Sequence, residues 1–304
     1  MVLTCTGHGP VGLPLEMRFN RKTNLSHRYS NGNIVFHMNM ISKIFTTSDN
    51  ARIRCAIWDN VSNPVGVIQI IHGIFDKVST YDKLAKFLNR NGYIVFGIDA
   101  PLSKSTRTFD CAVNQEIDIM KYLATRYSLP IFLIGYGYGG FVAQSVLRQS
   151  TIPATAVCLI KSGRYNRWVM KIACIISRIG TRFYGKNTNV KMANVFIRRH
   201  CGHVQQSPIC TYEFCESLFK GLAQLDNGTR FENPTMIISN GTERDITSAC
   251  FSRALYDTYR NNDLTKTTFV IYPDMQNKML MEMNCGRIQT DILSFFNEVN
   301  THHI

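Results

Sequence analysis

From residue 65 onward the chain switches repeatedly between two hydrophobic patterns. Residues 65–72, VGVIQIIH, are an almost unbroken apolar run, the pattern of a strand buried on both faces. The spacing then changes. In TYDKLAKFLNRNGY, Leu84, Phe87 and Leu88 recur at helical intervals, and Gly92 stands where a helix-closing glycine belongs. IVFGID (94–99) predicts the next strand, residues 114–125 a helix, and IFLIGY (131–136) a third buried strand. GGFVAQSVLRQS predicts a helix, and TAVCLI (155–160), PTMIIS (234–239) and TTFVIYP (267–273) predict strands. The last helix is GRIQTDILSFFNEV, with Ile288, Ile292, Phe295 and Phe296 on one stripe. Strand and helix in alternation predict an α/β fold with a mostly parallel central sheet flanked by helices. A further strand pair is expected to start around Ile44.

Residues 131–140, IFLIGYGYGG, carry the most informative chemistry. A buried strand that runs through a glycine-rich turn into a helix is the setting of a nucleophile elbow, written Gly-x-Ser-x-Gly in serine hydrolases. Here the five positions are Gly135, Tyr136, Gly137, Tyr138 and Gly139, so glycine stands where the attacking serine belongs. Glycine accepts the backbone angles of such a turn and removes its chemistry. An unrelated glycine-rich loop would give the same five letters, and the flanking alternation of strand and helix decides for the elbow.

The stretch GVIQIIHGIFDKVSTYDKLAKFLNRNGYIVFGID contains a His-Gly turn, a Thr-Tyr-Asp helix start and a Gly-Tyr-x-Val strand. On these residues the chain resembles the monoacylglycerol lipase/lysophospholipase branch of the α/β-hydrolases, the serine aminopeptidase S33-like group, from about Ile44 to the C-terminus. The resemblance implies an α/β-hydrolase fold whose helical cap insertion, about 162–224, is shortened. The family's Asp-His-Arg-Gly-His-Gly-x-Ser signature is eroded to Asp99-Ala100-Pro101-Leu102-Ser103-Lys104-Ser105. The family's acid follows a strand in a Gly-x-x-Asp pattern. This chain offers Asp245, displaced by one residue, with Glu243 as the fallback, and a solvated turn acid reads equally well. The family's base maps onto Asn277, whose amide cannot take a proton from a hydroxyl near neutral pH. No histidine lies between His203 and His302, and His302 and His303 lie beyond the last helix. The oxyanion hole of this fold is made of backbone N–H groups, which survive side-chain change. Ile74 and Tyr138 would supply them here, with His72, Gly73 and Tyr136 lining the pocket. His72 reads as a structural, hydrogen-bonded residue, and both tyrosines as rings packed around the turn or as pocket walls.

Composition adds a second line of argument. The 304 residues are 45% hydrophobic, enough for one sizeable α/β domain expected over 41–304. The first forty residues are polar and rich in Gly, Pro and Asn. They predict an extension without regular structure, with Met38 or Met40 as a natural start. The ten cysteines show no paired or metal-ligand spacing, and the start has no signal-peptide pattern. Neither a metal nor a cofactor is expected, and the protein is expected to be cytoplasmic. No apolar run reaches membrane-span length. The formal net charge is +13, and residues 119–212 contain no acid. Within that segment RWVMKIACIISRIGTRFYG sets Trp168 and four isoleucines against Arg167, Lys171, Arg178 and Arg182 on other faces. A cationic amphipathic helix of this kind suits an anionic membrane surface, and an ordinary cap helix with a solvated basic face would also carry it. No nucleic-acid motif is present and no nucleic-acid partner is expected.

Three readings follow. One is a catalytically inactive hydrolase that binds a lipid-like ligand or a protein partner. The second is a weak or rewired carboxylic-ester hydrolase acting on lysophospholipid or monoacylglycerol. The third is a basic membrane-surface binding module.

Overall fold

A computed structural model describes residues 40–74, 76–99, 108–190, 210–225, 233–241, 246–261, 266–275, 279–280 and 285–301. Among them eight strands form one sheet: β1 (Ile41–Thr46), β2 (Arg52–Trp58), β3 (Gly66–Ile71), β4 (Tyr93–Ile98), β5 (Ile131–Tyr136), β6 (Ala156–Ile160), β7 (Thr235–Asn240) and β8 (Thr267–Tyr272). Their order across the sheet is β1-β2-β4-β3-β5-β6-β7-β8. The pairs β1/β2 and β2/β4 are antiparallel, and every later pair is parallel. Strands β3 to β7 are buried at every position, as near-continuous apolar runs covered on both faces must be. The two edge strands keep exposed positions.

Seven α-helices complete the described chain: α1 (Asp82–Arg90), α2 (Phe109–Tyr127), α3 (Tyr138–Gln149), α4 (Arg167–Tyr184), α5 (Tyr212–Leu225), α6 (Ile246–Asn261) and α7 (Gly286–Thr301). A 3₁₀ turn, Val78–Tyr81, leads into α1. One face of the sheet packs Ile68 and Ile70 against Leu84 and Leu88 of α1 and Ile288, Ile292 and Phe296 of α7. The opposite face packs Val67 and Ile71 against Val113, Ile117 and Met120 of α2, Val142 and Val146 of α3, and Leu255 of α6. The strand period of two therefore divides each strand between two cores.

Most elements fall where the hydrophobic pattern puts them, with one informative difference. Helix α2 begins at Phe109 rather than at residue 114. Its N-cap is Thr108, whose hydroxyl accepts from the Cys111 N–H, and the Phe109 N–H donates to Ser217 Oγ of α5. Helix α1 ends at Arg90 with Asn91 as its C-cap, and Gly92 follows with φ +94°, the conformation that favours glycine just past a helix end, as its place in the sequence predicts.

Helices α4 and α5 are the described helices of the insertion between β6 and β7. Cys174 Sγ lies 3.6 Å from the Glu216 carbonyl, Arg178 Nε bonds Glu216 Oε1 at 2.8 Å, and Met170 packs with Leu222 and Ala223. A Cβ on Gly180 would stand within 2.9 Å of the Tyr212 ring. Lower numbers on α4 meet higher numbers on α5, so the pair runs antiparallel. The buried face of α4 is Met170, Cys174, Ser177 and Gly180. Its isoleucines are on the other side, in solvent.

One buried group makes the fold pH-sensitive. Gln69 of β3 donates through Nε2 to Glu116 Oε2 at 2.7 Å and to the Glu116 carbonyl at 3.0 Å, inside the core under α2. Burial pushes the Glu116 carboxyl up to about 8 against an ordinary value of 4.5, and the Gln69 bond only partly offsets it. The folded protein therefore keeps a proton that the unfolded chain has released across the window from 4.5 to about 8. Stability falls as pH rises through that window, by at most about 1.4 kcal/mol per pH unit from this group. The urea midpoint of the wild type is expected to drop between pH 5 and pH 8. Glu116→Gln, which mimics the protonated acid, should flatten that drop.

Candidate functional site

Strands β3 and β5 are parallel neighbours with Ile71 opposite Gly135. Their C-terminal ends therefore deliver the His72–Gly73 turn and the Tyr136–Gly137 turn to the same edge of the sheet. That edge lies where the connections from β3 and β5 leave the strands, the usual location of a site in an open α/β sheet.

The second turn has the geometry of a nucleophile elbow. Gly137 is the N-cap of α3 with φ +53° and ψ −114°, backbone that favours glycine. Its N–H donates to the Ile160 carbonyl at 2.8 Å, and its carbonyl accepts from the Gly140 N–H at 3.0 Å. Among the described residues, a Cβ placed on Gly137 would meet no atom within 4 Å beyond its own chain neighbours. The flanking glycines differ sharply. A Cβ on Gly135 would stand 2.7 Å from the Gly139 carbonyl oxygen, and one on Gly139 would stand 2.6 Å from the His72 carbonyl oxygen and closer still to that of Ile71. Gly135 and Gly139 are glycines because helix and strand touch there. Gly137 is a glycine with open space around it among the described residues.

The first turn is held by a network. The Gly73 N–H donates to Tyr81 Oη at 3.1 Å, and the Tyr81 hydroxyl donates to Asp76 Oδ2 at 2.9 Å. The Gly73 carbonyl accepts from the Asp76 N–H at 3.0 Å and contacts His72 Nδ1 at 2.7 Å, so Nδ1 is the protonated nitrogen of that ring. Both backbone groups of Gly73 are thereby used, which leaves the N–H of Ile74 as the next donor of the turn. Burial, reinforced by the Asp76 charge, keeps the Tyr81 phenol neutral. Tyr81 and Asp76 belong to the site; the sequence singled out only Tyr81, within the Thr-Tyr-Asp helix start, and its pairing with Asp76 appears once the 3₁₀ turn folds back on Gly73.

Tyr136 is buried edge-on against Tyr81, with ring centroids 5.9 Å apart. Tyr138 leaves the elbow on the other side, between Phe109 at 5.8 Å and Phe214 of α5 at 6.0 Å. Ile74 and Tyr138 pack on the same small cluster, Cys210, Phe214 and Cys215, at the base of the insertion. The Tyr138 hydroxyl oxygen is fully buried and has no hydrogen-bond partner among the described residues, although the residue as a whole is partly exposed. Burial, with Glu116 as the next cause, pushes its ionisation far above the ordinary phenol range, so it can only act as a neutral donor or acceptor.

The eroded signature keeps one structural function. Asp99 Oδ1 accepts from the Val78 N–H at 2.7 Å and so caps the 3₁₀ turn. Asp245, Glu243 and Asn277 lie outside the described residues, as do His302 and His303. The strands that lead to the first two positions and to the third, β7 and β8, end at the same edge as β5. Among the described residues there is no group of three or more His, Cys, Asp or Glu that could hold a metal ion.

The five remaining candidates lie on α4. Trp168, Arg178 and Arg182 are exposed, and Arg167 and Lys171 are partly so. Arg178 is paired with Glu216 at 2.8 Å, and Lys171 Nζ lies 4.8 Å over the Trp168 ring. Arg178 thus braces α4 on α5 rather than standing as a free solvent-side cation, as the helical pattern alone suggests.

A model of the serine aminopeptidase S33 family matches residues 62–284. Phospholipase YtpA of Bacillus subtilis (strain 168) is 31% identical over 106 residues, 33% of this chain and 40% of the relative. The match thus spans less than half the length of that protein. Among solved structures, a thermostable carboxyl esterase from Bacillus coagulans in complex with glycerol superposes with a TM-score of 0.68 at 13% identity, over 86% of this chain and 99% of the other. A soluble variant of monoglyceride lipase from Saccharomyces cerevisiae, in complex with a substrate analogue, gives 0.61 at 13% identity over 90% and 99%. A monoacylglycerol lipase from Paleococcus ferrophilus gives 0.60 at 13% identity over 83% and 100%. These similarities establish the α/β-hydrolase fold, and with the family match covering most of its length the chain belongs to the serine aminopeptidase S33 family.

Proposed function

We propose that this chain is a non-hydrolytic member of its family, whose ester site binds a lipid-like ligand without cleaving it. The observation that carries the reading is Gly137. It sits at the elbow with positive φ, and the described residues leave room for a side chain where there is none. Asn277 at the family's base position supports the same reading, since a triad lacking its nucleophile or its base loses on the order of 10⁶ in rate. The backbone donors of Ile74 and Tyr138 keep the capacity to receive a carbonyl or carboxylate oxygen. The unsatisfied Tyr138 hydroxyl supports ligand binding as well, because a buried donor without a partner costs about 1–3 kcal/mol that a ligand oxygen would recover.

The purified protein is expected to show no labelling by a fluorophosphonate probe and no turnover of p-nitrophenyl butyrate above background. Covalent labelling of any serine would return the chain to the weak or rewired hydrolases.

Gly137→Ser should fold, at a cost of about 1–3 kcal/mol for the strained backbone, and should remain nearly inactive because nothing takes the hydroxyl proton. Adding Asn277→His should raise ester hydrolysis by about 10²–10⁴-fold over the single variant, provided Asp245 orients the imidazole. Equal rates for the two variants would place the base elsewhere.

Tyr138→Phe separates binding from packing. Removing a hydroxyl that has no partner should leave the urea midpoint unchanged or raise it. The same change should weaken binding of a fluorescent lysophosphatidylcholine probe, measured by anisotropy. Unchanged probe affinity would remove Tyr138 from the site.

A further inference from the structure

Helix α4 presents to solvent the face that an amphipathic helix normally buries. Trp168, Ile172, Ile175, Ile176, Ile179 and Phe183 are all exposed, Trp168 at 69% and Phe183 at 77%. At about 100° per residue these six share an arc of about 100°, and from Trp168 to Phe183 they run about 22 Å along the helix. Arg167, Lys171, Arg178 and Arg182 occupy the next arc of about 60°, along one edge of the apolar stripe. The remaining side is the small-residue face against α5. Asn166 caps the helix through its side chain, which accepts from the Trp168 and Val169 N–H groups. The stripe is therefore presented on a well-formed helix.

The structure assigns this face to the surface of a membrane containing anionic lipid. Two features select a lipid surface over other occupants. A headgroup layer receives both parts of the helix at once, aliphatic side chains and indole below the phosphates and cations level with them. The supply of charge is also one-sided, since residues 119–212 carry thirteen Lys and Arg and no acid. Glu216 of α5 engages Arg178, and Glu213 lies 4.0 Å from Lys186. Arg167 keeps its Nε buried, which leaves Lys171 and Arg182 as the accessible cations that flank the stripe without an ion pair among the described residues. No helix of the described residues is long and apolar enough to cross a membrane, so the helix lies in the interface plane. The inference is independent of what happens at Gly137.

The chain contains a built-in reporter. Its two tryptophans are Trp58 and Trp168. Trp58 is buried and donates from Nε1 to Asp82 at 3.0 Å, whereas Trp168 is the exposed one. With the full chain and vesicles of phosphatidylcholine containing phosphatidylserine, the fluorescence maximum should move to shorter wavelength, and brominated acyl chains should quench it. Trp168→Phe should abolish both signals while the protein still sediments with the vesicles. Ile172→Ser with Ile176→Ser should weaken binding at least tenfold at an unchanged melting temperature, since both side chains already face solvent. Lys171→Gln with Arg182→Gln should cost about fivefold per cation on phosphatidylserine vesicles and little on pure phosphatidylcholine. Absence of a Trp168 shift, or full binding by the isoleucine variant, overturns the assignment. So does a dimer in sedimentation equilibrium that the isoleucine variant disperses while no vesicle binding occurs, because the stripe then belongs to a second copy of the chain.

Discussion

The carbonyl oxygens of Ile71 and His72 lie so close to the first turn of α3 that any side chain at position 139 would overlap them, and Gly135 is equally confined by Gly139 and Gly140. This contact between the end of β3 and the start of α3 sets most of the remaining geometry. It fixes the direction in which α3 leaves the sheet and aims Val142 and Val146 into one core. It also brings the Gly73 turn, braced by Tyr81 and Asp76, beside the elbow. The insertion then closes over the pair through Cys210, Phe214 and Cys215, which receive Ile74 and Tyr138.

Preservation of that frame says nothing by itself about catalysis, because the frame is also the packing. A side chain at Gly139 would separate α3 from β3, and buried Ile, Val or Leu side chains contribute about 1.5–3 kcal/mol each. Position 137 is the exception. A Cβ there would meet none of the described residues outside its chain neighbours, and a non-glycine residue would hold strained backbone of about 1–3 kcal/mol for the sake of a side chain in the site. Glycine removes that strain and leaves every packing contact in place. Glycine at this position is therefore neutral or favourable for folding, in keeping with the general opposition between stability and strained active sites.

The elements whose burial is uniform were legible from sequence: β3, β5 and β6 are continuous apolar runs, and the stripe of Ile288, Ile292 and Phe296 faces the core as its spacing requires. The elbow was legible because close packing leaves a glycine signature at 135 and 139. Two kinds of information were not. The first turn of α2 depends on Thr108 capping and on Ser217, a partner more than a hundred residues away. The Tyr81–Gly73–Asp76 network depends on a 3₁₀ turn folding back on a strand end, which no periodicity announces. For α4 the pattern gave the helix and its amphipathic character but not which side is buried. Hydrophobic stripes usually face a core, whereas helix-to-helix contact at close range selects small residues.

That choice of face is what the proposed membrane surface would compensate. Turning α4 by half a revolution would hide its isoleucines, but it would bring Lys171, Arg178 and Arg182 towards α5 and pull Gly180 off Tyr212 and Arg178 off Glu216. The observed arrangement keeps a braced, closely packed α4–α5 pair and leaves six large apolar side chains in water. Each forgoes about 1.5–3 kcal/mol relative to burial. Scattered apolar residues on a surface are ordinary, but a contiguous stripe with a cationic edge is not. A stripe carried by the insertion that closes over the elbow places any surface that covers it beside the site. A lipid-like ligand would then reach the pocket from the layer on which the helix rests, without crossing water as a free monomer.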